Sequence, residues 1–329
     1  MKKLINNPSD VVTEMLTGLA KSNPNLVYSN DGLEVISRKE KKVNKVGLIS
    51  GGGSGHEPAH AGYVGKGMLD AAVAGNVFAS PSPDRIIEGI KAADSGAGVL
   101  MIIKNYSGDI MNFQMAGELA EMDDIKTDFV VTRDDVAVPD STYSTGRRGI
   151  AGTVFVHKIA GAAAEAGKSL EEVKAAAQKT VDNMRSMGMA MTPCILPGVG
   201  KAGFSLAEDE VEIGMGIHGE PGINREKMTT AKVIAEKLIS KILEDYDFSG
   251  SEVAVMVNGL GGTPLMELYI MYNEVEKILT GKGIKIYKPF VGNFMTALDM
   301  TGCSISLLKL DSELKELLDA PADTTALKC

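Results

Sequence analysis

Positive charge, cysteine and long apolar runs are all scarce in this sequence, and each scarcity closes off a class of function. Against 43 Asp and Glu there are only 34 Lys and Arg, a formal net charge of -9. Nucleic acid and anionic membrane surfaces both recruit clustered Lys and Arg, so neither is an expected partner. The basic pair Lys2-Lys3 leads into no apolar h-region, and no later apolar run approaches the length of a membrane span. Secretion and insertion are therefore not expected, and the cytoplasm is the expected location. The three cysteines, Cys194, Cys303 and Cys329, are odd in number and form no Cys-x-x-Cys pair, which argues against a disulfide framework and against a zinc site. Cys194 and Cys303 read as small, partly buried apolar residues, and Cys329 as a chain end.

What is present is enough for a sizeable interior. A hydrophobic fraction of 44% with 23% charged residues is that of a folded chain, and 329 residues exceed the usual size of one core. Two domains follow, residues 1–187 and 188–329, joined in the Met-rich stretch between Asn183 and Pro197, where Met184, Met187, Met189 and Met191 read as core and interdomain filling. Strand-like apolar runs alternate with helical periodicity, which predicts an α/β fold of two α/β domains with mixed or largely parallel sheets flanked by helices. Val46 to Ser50, Met68 to Ala74, Val99 to Lys104 and Phe129 to Thr132 read as strands, with helices over Asp84 to Ala93 and Asp109 to Met122. Two Ala-rich helices follow over Gly149 to Ala166 and Ser169 to Met187, the second with Ser169 as N-cap and Glu172 three positions on. Beyond them the pattern predicts a strand over Glu212 to Gly216 leading to His218, and helices over Met228 to Leu243, Met266 to Leu279 and Asp311 to Leu318. Further strands are expected over Val253 to Asn258 and Ile284 to Tyr287.

Two of the four histidines stand among glycines and are followed, directly or after one Gly, by Glu-Pro, in Gly51-Gly52-Gly53-Ser54-Gly55-His56-Glu57-Pro58 and in Gly214-Met215-Gly216-Ile217-His218-Gly219-Glu220-Pro221-Gly222. Glycines let backbone approach a small ligand closely, and a histidine beside it can act as base or nucleophile near neutral pH. The first loop follows a strand, where α/β folds bind ligands, but it lacks the Lys-Ser/Thr pair of a Walker A loop and fits the dinucleotide fingerprint poorly. Gly75-Asn76-Val77-Phe78-Ala79-Ser80 and Lys104-Asn105-Tyr106-Ser107-Gly108-Asp109 are further loops at predicted strand ends. Asp109 reads either as a first-turn helix carboxylate or as a general base beside a polyol. Lys104 reads either as a ligand-fixing donor or as a solvated cation. His218 reads either as a nucleophile toward a carbonyl or as an oriented loop histidine that only hydrogen-bonds. A metal-assisted hydrolase built on His56 and His60 lacks an accompanying acidic or sulfur ligand cluster, and His157, inside an Ala-rich run, reads as a packing or surface residue.

In their order along the chain these four loops resemble those of the dihydroxyacetone kinase substrate-binding subunit family, over nearly the whole length. The resemblance implies covalent attachment of dihydroxyacetone to His218 as a hemiaminal, an acid/base role for His56, and Asp109 as acceptor of the proton of the attacking hydroxyl. Gly53, Ser54, Gly55 and Lys104 would line and hold the substrate. Covalent capture selects short-chain carbonyls over glycerol, which has no electrophilic carbon. Single-chain ATP-dependent members carry a nucleotide-binding domain after this part, and the chain ends at Cys329. The resemblance therefore implies the bacterial type. There a separate nucleotide-binding L subunit carries ADP/ATP with magnesium and is rephosphorylated by the phosphotransferase-system M subunit, so no cofactor or metal is expected on this chain. It further implies a homodimer, and it leaves open a catalytically silent dihydroxyacetone-binding paralogue that acts as co-activator of a transcriptional regulator.

Overall fold

The computed structural model describes residues 2–29, 31–139, 146–200, 202–220 and 222–329. Contacts gather the chain into two units that interleave in sequence: the first holds residues 2–132, 153–181 and 314–329, the second residues 133–152 and 182–313.

The first unit opens with α1 (Val11–Ser22), which buries Val12 and Leu16. The strands β1 (Leu26–Ser29) and β2 (Val35–Arg38) pair antiparallel, and β3 (Gly47–Ser54), buried at every position, runs straight into the first glycine loop. After the two-residue β4 (Gly65–Lys66) come β5 (Ala71–Val77), α2 (Pro83–Ala93), β6 (Val99–Lys104), α3 (Ser107–Met122) and β7 (Thr127–Thr132). The sheet order is β1-β2-β5-β3-β6-β7, parallel from β5 through β7. Parallel neighbours cannot be joined by hairpins, so α2 and α3 serve as crossovers, burying Ile86, Ile90 and Phe113 against Ile49, Val73, Met101 and Ile103. This connectivity brings the carboxyl ends of β3, β5 and β6 to one edge, where α/β folds place their ligands. Two helices complete this part, α4 (Thr153–Glu165), buried from Thr153 through Ala164, and α5 (Leu170–Asp182). The predicted capping box opens α5: the Ser169 N–H donates to Glu172 Oε2 at 2.8 Å and the Glu172 N–H to Ser169 Oγ at 3.3 Å.

The second unit is built on β8 (Met184–Ala190), β9 (Glu210–Ile213), β10 (Asn224–Lys227), α6 (Ala231–Asp245), β11 (Glu252–Gly259), α7 (Leu265–Gly281), β12 (Lys285–Gly292) and β13 (Gly302–Leu310). Its sheet, in the order β10-β9-β8-β13-β11-β12, is mixed, with only β11 and β12 parallel. Ile234, Leu238 and Ile242 of α6 and Leu268 and Val275 of α7 share a core with Val255, Val257, Ile305 and Leu307 of the sheet. The chain closes with α8 (Ser312–Asp319) and with β14 (Asp323–Thr324), which pairs with β4.

Both sheets are flanked by helices, as expected for the α/β class, but several predicted elements differ. The helix expected over Ser169 to Met187 ends at Asp182, and Met184–Ala190 is the strand β8. Met and Ala favour helix locally, yet pairing with β13 and β9 overrides that preference and buries Met184, Met187 and Met189. Met184, Met187 and Met189 are thus core residues of a sheet, with Met191 packed partly buried beside them, and a domain boundary between 187 and 188 falls inside β8. The strand expected over Glu212 to Gly216 stops at Ile213, because Gly214 turns the backbone to φ +82°. The strand β13 had no counterpart among the predicted elements.

The buried Asn258 ties the end of β11 to the loop after β12 and to β13. Its Nδ2 donates to Met295 O at 2.8 Å and Ser304 Oγ at 3.1 Å, and its Oδ1 accepts from the Phe294 and Met295 N–H groups at 2.8 and 2.9 Å. Asn258→Ala strands these buried groups, so chemical denaturation is expected to show a loss of about 3 kcal/mol or more.

Candidate active site

In the first unit the loops at the ends of β3 and β5 are laced together before any ligand is considered. Ser54 Oγ donates to Gly75 O at 2.7 Å, and the Phe78 N–H donates to Ser54 O at 2.9 Å. A Cβ on Gly53 would stand 2.6 Å from Ala79 N, so only glycine permits this approach. His56 is fully buried and stacks on Phe78, ring centroids 5.1 Å apart. The Gly55 N–H donates to Glu57 Oε1 at 3.0 Å, while burial pushes the Glu57 carboxyl above its ordinary value.

Lys104, the last residue of β6, is fully buried, which removes the solvated-cation reading. Its ammonium donates to Asp109 Oδ2 at 3.1 Å and Gly51 O at 3.3 Å. The place it occupies is the one a side chain on Gly52 would take, where φ is +152°. Asp109 lies in the first turn of α3 and is nearly as buried; its other oxygen, Oδ1, accepts from Ser80 Oγ. The carboxylate is therefore held from two loops. Ser80 is a residue that sequence reasoning missed: its loop was singled out, but nothing in its spacing shows that the hydroxyl meets a carboxylate 29 positions on.

Behind these loops lies a second pair of histidines. Ser50 Oγ donates to Ile102 O at 2.7 Å, so it can accept from His60 Nδ1 at 3.2 Å. His60 Nδ1 also stands 3.0 Å from Nε2 of His157, which comes from α4. His157 is thus a buried partner of His60 and not a surface residue. Both rings are held neutral: burial, and then the Lys104 charge, lower His157 to about 3 and take His60 well below its ordinary value, with His157 and His56 adding to the effect on His60. Among the described residues no group of three His, Cys, Asp or Glu side chains could hold a metal ion. A cavity of about 430 Å³ is lined by Leu16, Gly53, Ser54, Glu57 and His60; His56, Lys104 and Asp109 do not line it.

His218 stands in the second unit, in the turn after β9, with its side chain 18% exposed. Glu220 folds back on it: Oε2 accepts the His218 backbone N–H at 2.8 Å and Oε1 faces Nδ1 at 3.0 Å. Burial disfavours the Glu220 charge, but the hydrogen bond and charge of His218, with Arg148 beyond, outweigh it and bring the carboxyl down to about 2. An ionised carboxylate only accepts, so in its neutral form the His218 ring carries its proton on Nδ1 and its lone pair on Nε2. Arg148 is fixed in turn by Asp135, Nε to Oδ2 at 2.8 Å, and by donating from Nη2 to Gly214 O at 2.8 Å. Burial, opposed by Arg148, moves Asp135 up to about 6. Glu220 belongs to the motif that drew attention to His218, yet only the folded turn reveals its use. Pro221 of that motif lies outside the described residues.

The structure thus brings Gly53, Ser54, Gly55, His56, Lys104 and Asp109 into one unit, joins Lys104 to Asp109, and sets His218 with Glu220 in the other. Among the described residues no helix is long and apolar enough to cross a membrane.

The Dak1 domain model matches residues 17–326. The chain is 54% identical to the PTS-dependent dihydroxyacetone kinase 1, dihydroxyacetone-binding subunit DhaK, of Listeria innocua, over 99% of this chain and 100% of that protein. Among solved structures it is similar to the dihydroxyacetone kinase of C. freundii in its native form, with a TM-score of 0.92, 37% identity, and coverage of 99% of this chain and 60% of that one. It is also similar to the dihydroxyacetone kinase operon co-activator Dha-DhaQ, with a TM-score of 0.91, 38% identity, and coverage of 95% and 97%.

The buried neutral pair has a pH signature. The unfolded chain protonates its histidines near their ordinary value of about 6.5. The folded state refuses those protons until His157 reaches about 3. Their contribution to stability is whole above about pH 6.5 and is lost as the pH falls, by up to about 1.4 kcal/mol per pH unit for each histidine. Denaturation at a series of pH values is expected to show this slope in the wild type and a shallower one in His157→Gln. Parallel slopes would contradict the assignment.

Proposed function

The chain belongs to the Dak1 domain family, and from that premise we propose that it is the dihydroxyacetone-binding subunit of a phosphotransferase-system-dependent dihydroxyacetone kinase. The observation that carries this reading is the likeness to a named dihydroxyacetone-binding subunit along the whole of both chains. The side chains agree with it. A small triose offers a carbonyl and two hydroxyls, and the protein presents a nucleophilic imidazole nitrogen on His218, a buried carboxylate on Asp109 and close-approach backbone around Gly53.

In this reading Nε2 of His218 adds to the carbonyl carbon and holds dihydroxyacetone as a hemiaminal. Asp109, with Lys104 and Ser80 fixing its two oxygens, takes the proton of the terminal hydroxyl as that oxygen attacks phosphorus, and His56 serves as acid/base at the substrate. Gly53, Ser54, Gly55 and Lys104 hold the substrate. Phosphoryl transfer depends on positioning and charge stabilisation, and the ADP/ATP with its magnesium is supplied by the separate L subunit, which the M subunit of the phosphotransferase system recharges. The protein acts in the cytoplasm as a homodimer. Likeness to the operon co-activator supports one alternative, a subunit that binds dihydroxyacetone without catalysis. The presence of His56, Lys104 and Asp109 together favours the kinase.

Reconstitution with the nucleotide-bearing subunit and the phosphotransferase components separates the two. The wild type is expected to yield dihydroxyacetone phosphate, and no product from the complete mixture would leave the co-activator reading in its place. Asp109→Asn is expected to bind dihydroxyacetone while its turnover falls by about 100-fold or more. His218→Ala is expected to lose covalent capture, which mass spectrometry of the intact protein reads directly. Near-normal turnover in Asp109→Asn would remove the base from Asp109.

A further inference from the structure

Covalent capture changes the charge of the ring that performs it. When the Nε2 lone pair of neutral His218 forms the bond to carbon, the carbonyl π pair moves onto oxygen, which takes up a proton from solvent. If Nδ1 keeps its own proton, the substituted ring is an imidazolium and the complex has gained one proton. If Nδ1 releases its proton, the adduct is neutral and the balance is zero. What faces Nδ1 decides between the two.

The group facing Nδ1 is Glu220, at 3.0 Å. Its second oxygen is anchored 2.8 Å from the backbone N–H of the same histidine, so the carboxylate cannot turn from the ring without giving up both bonds. Arg148 and, beyond it, Asp135 are further charged groups close by. Arg148 adds a positive charge acting on Glu220, and Asp135 binds the guanidinium and draws part of its charge away. A side chain on Gly216 would intrude on both Glu220 Oε2 and Arg148 Nη1, so this glycine leaves room for the arrangement. A carboxylate that accepts from a backbone N–H, with an arginine charge nearby, is a weak base, suited to remain ionised beside an imidazolium and not to remove its proton.

Resting on the capture reading above, we propose that Glu220 is a positioning residue that selects the Nδ1–H form of His218 and then serves as counter-ion to the captured ring. The hemiaminal is held as an imidazolium and carboxylate pair, and capture draws one proton from solvent. In Glu220→Gln the amide must present an N–H to one of two N–H groups. Its easiest relief is to move the ring proton to Nε2, the nitrogen that must attack.

The test uses the full chain with histidine labelled in ¹⁵N and dihydroxyacetone labelled in ¹³C at its carbonyl carbon. The wild type is expected to show one-bond coupling between that carbon and Nε2 with Nδ1 still protonated. Calorimetry in two buffers of different ionisation enthalpy is expected to give one proton taken up per adduct. Glu220→Gln is expected to weaken capture by about tenfold to 100-fold. Glu220→Asp, which keeps the charge, is expected to recover part of that loss, and the wild-type proton count stands even where a variant folds poorly. No proton uptake with an unprotonated Nδ1, or capture by folded Glu220→Gln at wild-type strength, overturns the proposal. Absence of carbon to Nε2 coupling in the wild type overturns the capture reading itself, and this inference with it.

Discussion

A lysine ammonium with no access to water is tolerable only where oxygen atoms enclose it, and Lys104 sets that constraint at the centre of the first unit. Its partners are a backbone carbonyl from β3 and a carboxylate from α3, so two elements must end where one cation can reach both. Parallel pairing of β3 with β6 fixes the first distance, and the tight turn from β6 into α3 fixes the second. Gly52 follows from the same requirement, since the ammonium occupies the place of its missing side chain. The Ser80 hydroxyl completes the enclosure of Asp109 from the β5 loop.

The four histidines divide by environment. His60 and His157 are kept neutral by burial and by the cation beside them, and through Ser50 they help hold β3 to β6 just before the strands end. His56 is stacked on Phe78 in the glycine loop. His218 faces a carboxylate that fixes its proton, the setting in which one ring nitrogen becomes a directed nucleophile. A neutral pair in one unit and a histidine paired with an ionised carboxylate in the other are opposite solutions of one problem, the control of imidazole charge.

The glycine loops and the strands before them were legible because their signals are local: an apolar run, then glycines or Asn and Ser, then helix-forming residues. The capping box at Ser169 and Glu172 was legible for the same reason. The strands β8 and β13 were not, because they exist by pairing with each other across more than a hundred positions, and Met184 to Ala190 carries helix-favouring residues. The residues that tune the site were hidden likewise. Ser80 meets Asp109 and His157 meets His60, 29 and 97 positions apart. Glu220 is only two positions from His218, but sequence spacing does not show a side chain folding back on its neighbour. The glycine loops can be read from the chain, whereas the side-chain partners around them emerge from tertiary packing.

Covalent capture of a ketone by His218 is the claim on which the functional account turns. A crystal structure of the protein soaked with dihydroxyacetone tests it most directly. Continuous density is expected from Nε2 of His218 to a tetrahedral carbon at single-bond length, about 1.5 Å. A planar ketone resting at van der Waals distance from that nitrogen, or joined to a different residue, would contradict it.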